Sequence, residues 1–418
     1  MKSRLITLFS LFFFAFNLNA KVRFVRAVMS GNTSESVTII WDQLSGSEPE
    51  LLFDTIYPKD FNFSYNLPVT VSNHSKGMHN NIVRLEGLKP STTYFFCIKD
   101  NEGFSGIYHV STCSDSENET FSFIAGGDSR DRRETRVKAN KMVAKIKPHA
   151  VLFNGDFIGI DIEKQWIEWF EDWENTIGKD GRVTPMVVTR GNHELSNKVL
   201  VDLFDVPNKK VYYSTYFGGN LLHLVSLNSE ILKIGGQKRF LRSALKENEG
   251  KYWQIAQYHR PVRPHVGHKK EMETQYRNFV PLFEKYPNLK LCLENDSHTC
   301  KTTWPIIKDN GPGSEEGFKR NDSIGITYVG EGCWGAPLRA ADDPKCWTRN
   351  SEAINQVNWI IVSKDMIRVM TIKYENGDEV VEVDLNNRTE LPQGIDLWTP
   401  SNGAFVDIYP STNVKSRK

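Results

Sequence analysis

Five short stretches carry side chains that bind metals or move protons: Gly-Asp-Ser-Arg at 127–130, Gly-Asp at 155–156, Gly-Asn-His-Glu at 191–194, Tyr-His-Arg-Pro at 258–261 and Asn-Asp-Ser-His at 295–298. Asp and Asn offer hard oxygen ligands, and His offers nitrogen. A single Gly-Asp is an ordinary turn. An ordered series of such stretches is not easily explained by turns. Gly-Asn-His-Glu is the most specific member. Its glycine lets the chain bend sharply, Asn192 can coordinate through its carbonyl oxygen, and His193 is left to face a substrate.

These residues need elements to hold them, and the flanking sequence supplies strands. The segments 121–128, 149–156 and 184–194 read as strands that end in the first three stretches, and the apolar run 289–293 leads into the last. Amphipathic patterns over 132–147 and 163–177 predict helices between the first three. Strands alternating with helices predict an α/β domain with its ligands at the carboxyl ends of the strands. Residues 21–115 instead read as short strands between Gly, Pro and Ser turns, a β-sandwich pattern, with the polar stretch 113–120 as linker. Segments over 323–332 and 357–374 predict a second sheet packed behind the first, and the polar stretch 376–418 predicts loops.

A chain of 418 residues exceeds what one core usually serves. A net charge of +1 argues against binding driven by nucleic-acid phosphates, and no nucleic-acid-binding module is visible. The N-terminus has Lys2 and Arg4, then an apolar run from Leu5 to Phe16 and the small Ala20. This is a secretory signal pattern over 1–20, too short to span a bilayer, and no later segment could span one. The expected location is secreted, periplasmic or extracellular. In such a compartment the six cysteines could pair. Cys333 with Cys346 is the first pair to consider, because Gly335, Pro337 and Pro344 mark a loop between them; free buried thiols are the alternative. His149, His223 and His265, and the stripe Trp166, Trp169, Phe170 and Trp173, read as structural.

The series of strand-end motifs resembles that of the calcineurin-like metallophosphoesterases. With the N-terminal segment, which resembles a fibronectin type III domain, the chain looks most like a purple acid phosphatase over residues 21–375. The resemblance implies a β-sandwich (21–115) and a two-sheet α/β (α+β) sandwich with helices outside (119–375), between the signal peptide (1–20) and a C-terminal tail (376–418) read from composition. It implies a small phosphorylated substrate and two divalent metal ions (Fe, Zn or Mn) holding a hydroxide for in-line phosphoryl displacement. Asp128 and His298 would hold the first ion, Asp156 would bridge, and Asn192, His259 and Asp296 would complete the second. His193 would be the acid that protonates the leaving oxygen. His268 and Arg130 would contact substrate.

Two departures stand out. The family places His-X-His where this chain has Asp296-Ser297-His298, and a Tyr three residues after the bridging Asp where this chain has Gly159. A carboxylate at 296 is a competent ligand for hard divalent ions; read otherwise, it marks a degraded site. A phosphoesterase acting on monoesters is the leading reading. A phosphodiesterase or nucleotidase on the same site is one alternative, and a non-catalytic adhesion or binding protein is another.

Overall fold

The run Phe121–Gly126 is buried along its whole length, as is the neighbouring Ala150–Phe153. Such runs suit parallel strands covered on both faces. In the computed structural model, which describes residues 19–410, these two strands and Pro185–Val188 pair in parallel and in sequence order. Of the signal segment over 1–20, residues 1–18 lie outside the described residues. A second sheet aligns Leu222–Ser226, Trp253–Gln257, Leu289–Glu294 and Thr327–Gly330, also in parallel. Both sheets deliver strand carboxyl ends to one place.

Helices cover the first sheet. Arg133–Ile146 and Glu163–Trp173 fall within the segments expected from amphipathicity, the second ending earlier, in a 3-10 turn at Glu174–Thr176. Trp166, Trp169, Phe170 and Trp173 are buried, each worth roughly 1.5–3 kcal/mol relative to exposure, and Trp169 and Trp173 meet Phe153 edge-on while Trp166 and Trp169 pack against Phe157, next to Asp156. Arg136 is buried against Asp172 of the facing helix.

Three expectations are corrected. Gln356–Val362 and Ile367–Lys373 do not join the second sheet. Gln356–Val362 pairs antiparallel with Phe121–Gly126 and extends the first sheet. Their apolar faces suit either sheet, so periodicity could not choose. The segment beyond 376 is not all loop: Asp396–Leu397 and Phe405–Ile408 pair with Ile367–Lys373 and cover its open edge. Cys333 and Cys346 are both free; Cys333 is buried and donates to the Ala336 carbonyl at 2.7 Å, whereas Cys346 is exposed.

The N-terminal β region is not a bead on a linker. Val22–Val28 pairs in parallel with Pro185–Val188, with Ala27 opposite Pro185 and Val28 opposite Met186. Among the described residues the result is one eleven-stranded sheet running through both regions, over a shared hydrophobic core. A separate five-stranded sheet, with Glu50–Asp54 and Thr93–Asp100 at its centre, completes the sandwich.

Candidate metal centre

Each strand must turn abruptly to present its ligand. Asp128, Asp156, Asp296 and His298 all adopt left-handed backbone, with φ of 55°, 55°, 73° and 59°. Such conformations in non-glycine residues gather at functional sites. Gly155 and Gly191 make the close approach possible: a Cβ on Gly155 would lie 2.3 Å from the Gly191 nitrogen, and one on Gly191 would lie 2.2 Å from Asp156 Oδ1.

The side chains converge across the two sheets. His259 Nε2 lies 3.3 Å from Asp156 Oδ1, 3.6 Å from Asp296 Oδ1 and 4.0 Å from Asp128 Oδ1. Asn192 Oδ1 is 3.3 Å from the same nitrogen. His298 Nε2 is 3.4 Å from Asp128 Oδ1. Asp128, Asp156 and His259 each offer a donor atom within 4.8 Å of the others. These residues are buried, yet Asp128 Oδ1 has no hydrogen-bond partner. A buried carboxylate oxygen left open among carboxylates and imidazoles calls for a cation.

The surroundings orient these atoms. His259 Nδ1 donates to the Asn154 carbonyl at 2.8 Å, and His298 Nδ1 donates to the Pro337 carbonyl at 3.0 Å, so each presents Nε2 inward. Asp128 Oδ2 accepts from Asn295 Nδ2 at 3.1 Å and from the Asp296 amide at 2.8 Å, leaving Oδ1 for an ion. Burial disfavours charge on His259, but Asp156 and Asp128 outweigh it and hold its pKa well above the usual imidazole range. A proton there stands where a metal would. The residues fit a divalent cation held among Asp128, Asp156 and His259, with Asn192, Asp296 and His298 beside them.

His193 is held beside this centre. Its Nδ1 lies 2.5 Å from the Gly159 carbonyl, its Nε2 is 3.7 Å from Asp156 Oδ2, and its side chain is 25% exposed, so substrate can reach it. The Arg130 Nε is buried without a partner, and its guanidinium lies 3.8 Å from Asp131. His268 is exposed. Its neighbour Lys269 instead reaches Asp296 Oδ2 at 2.7 Å.

Sequence reasoning gave no role to three supports. Glu194 accepts from the amides of Asp156, Phe157 and Gly191, fixing two ligand loops together; burial and the Asp156 carboxylate push its pKa up to about 8. Its place in the Gly-Asn-His-Glu stretch was the available signal. Asn295 braces Asp128, as above. Beneath the second sheet's ligands lies a buried ionic group: Lys301 Nζ is 2.5 Å from both Glu294 and Glu331, and Tyr258, next to His259, donates to Glu294 at 2.7 Å.

Two expected outcomes follow from these contacts. Replacing Lys301 with Met leaves two buried carboxylates unpaired and should cost about 3–5 kcal/mol at neutral pH. Burial alone would raise the Glu331 pKa, but Lys301 and His265 bring it down to about 2. A depressed carboxyl contributes stability above its unfolded pKa and loses it as pH falls through the folded value. The variant's deficit, read by urea unfolding from neutral pH down to about pH 2, should therefore shrink on acidification; a constant deficit would contradict this. The second outcome concerns colour. With Gly159 in place of Tyr, no phenolate at that position can bind ferric iron, and a Cβ there would lie only 1.8 Å from Asp131 Oδ1. The iron-loaded protein should show no broad visible charge-transfer band, and a purple preparation would mean another Tyr fills the role.

Comparison with known proteins agrees with this geometry. The profile of the calcineurin-like phosphoesterases matches residues 113–300, and that of the purple acid phosphatase N-terminal domain matches residues 22–112. Comparison with curated proteins gives no match. Among solved structures, the fold is similar to purple acid phosphatase PPD1 from yellow lupin (Lupinus luteus) seeds, with a TM-score of 0.70 and 16% identity, covering 86% of this chain and 73% of that one. It is also similar to PhoD, with a TM-score of 0.66 and 11% identity, covering 93% and 92%. Strand-end motifs, two-sheet fold and matching profiles agree: residues 113–300 carry a calcineurin-like phosphoesterase domain, and residues 22–112 the N-terminal domain of purple acid phosphatases.

Proposed function

We propose that the chain is an exported, metal-dependent phosphomonoesterase of the acid phosphatase kind. The observation that carries this reading is the open, buried Asp128 Oδ1 at the meeting point of Asp156, His259 and His298, with His193 beside them. Divalent ions bound there would acidify a water molecule and offset the charge of a phosphoryl group. The chain's own residues do the rest. Asp128, Asp156, Asn192, His259, Asp296 and His298 fix the ions' places. His193, anchored through Nδ1 on Gly159, turns Nε2 toward the site and can give a proton to the leaving oxygen. Arg130, with its Nε unpartnered, supplies a cationic donor for a phosphoryl oxygen.

A cationic group at the edge of the site, Lys269 beside Asp296, favours a monoester over a diester, because the monoester carries the greater charge. The test is kcat/KM of the metal-loaded protein on nitrophenyl phosphate and bis(nitrophenyl) phosphate. The monoester is expected to be the better substrate; a preference for the diester would reassign the chain as a phosphodiesterase, and inertness toward both would favour the binding-protein reading. Export rests on the N-terminal pattern alone, and N-terminal sequencing of chain recovered outside the cytoplasm, expected to begin after Ala20, tests it.

A further inference from the structure

The loop that follows His259 decides which side chain enters the site from the second sheet's side. The Lys269 amide donates to the Val266 carbonyl at 2.9 Å, closing a tight turn over residues 266–269. Val266 is buried at the foot of this turn, and the Gly267 amide is pinned to Asp342 Oδ1 at 2.8 Å. The turn therefore carries Gly267 and His268 at its exposed tip. Lys269, one residue later, points back. Its ammonium is 2.7 Å from Asp296 Oδ2 while remaining 21% exposed.

Asp296 does not need this lysine to be held. Its amide donates to Asp128 Oδ2 at 2.8 Å, and its carbonyl accepts from Arg339 Nη1 at 3.0 Å. Its other carboxylate oxygen already faces His259 Nε2 at 3.6 Å. Lys269 spends one of its three N–H donors on this carboxylate. The other two have no acceptor among the described residues, and the side chain beside Asp296 is partly exposed.

We propose that Lys269, rather than His268, binds the non-bridging phosphoryl oxygens of the substrate and the phosphate product. This rests on reading the site as that of a phosphoesterase. It also accounts for the unusual carboxylate at 296, which anchors the ammonium at the ligand's edge. An imidazole there could not make that ion pair.

The test is calorimetric binding of inorganic phosphate to the metal-loaded protein, with metal content measured in parallel. Charge-assisted hydrogen bonds are among the stronger polar contacts. Lys269→Met should weaken phosphate binding by about 10- to 100-fold, with a matching rise in KM and a smaller change in kcat. Lys269→Arg should restore most of the affinity, and His268→Ala should change it by less than about threefold. Unchanged phosphate affinity in Lys269→Met, or a comparable loss in His268→Ala, overturns the proposal. So does a Lys269→Met protein that loses metal but binds phosphate normally once reloaded, since Lys269 would then only support Asp296. Phosphate binding is read without turnover. Lysine-dependent binding with no ester hydrolysis would therefore overturn the function and leave this assignment standing.

Discussion

His193→Ala should lower turnover by roughly 10²–10⁴-fold while the protein keeps its metals. The contacts separate these two effects. The His193 amide donates to Asp156 Oδ1 at 2.9 Å, and alanine retains that bond. The imidazole contributes its proton through Nε2, which Nδ1 on the Gly159 carbonyl turns toward the site. The deficit should depend on the leaving group. Nitrophenolate departs without help, whereas an alkoxide needs a proton, so alkyl phosphates should suffer more than nitrophenyl phosphate. Equal deficits for both, or unchanged turnover, would remove His193 from the role of acid.

Asp296→Ala should cut the affinity of the second metal position by more than about 100-fold, because even outer partners of a ligand cost 10–100-fold. Asp296 Oδ1 belongs to the same set of donors as Asp156 Oδ1 and Asn192 Oδ1 around His259 Nε2. A carboxylate in place of imidazole also hardens the position, which should then accept Mn²⁺, Fe²⁺ or Mg²⁺ more readily than a His-containing site would. Asp296→His should shift preference toward Zn²⁺ while leaving Lys269 without its anion. Metal stoichiometry and activity across a divalent series check both statements. If Asp296→Ala kept both metals and the same ion preference, residue 296 would be a loop residue and the Asn-Asp-Ser-His stretch would contribute His298 alone.

The ligand residues were legible because each sits where a buried strand stops and a Gly, Asp or Asn permits a reversal. That signal is local, and it survives in one sequence. What was not legible is long-range or depends on a single rotation of the chain. Whether Lys269 or His268 faces the site is decided by the hydrogen bond between residues 266 and 269, and no composition rule states it. The strands at 356–362 and 367–373 are apolar enough for either sheet, and their place is set by pairing with Phe121–Gly126 far along the chain. The β-sandwich read over 21–115 is continuous with the first sheet only because Ala27 and Val28 find Pro185 and Met186. The Lys301 group could not be read either, since a Lys and two Glu spread over 294–331 look like surface residues until the fold buries them.

The most direct test is hydrolysis of nitrophenyl phosphate by the purified chain after exhaustive chelation and after restoring a divalent ion, with Asp156→Asn assayed alongside. Asp156 lies in the buried cluster with Asp128 and His259 and, under the proposed function, between both metal positions. Activity should vanish on chelation, return with two ions bound per chain, and stay absent in Asp156→Asn. Hydrolysis that persists in the metal-free protein, or in Asp156→Asn, would contradict a metal-dependent phosphoesterase at this site.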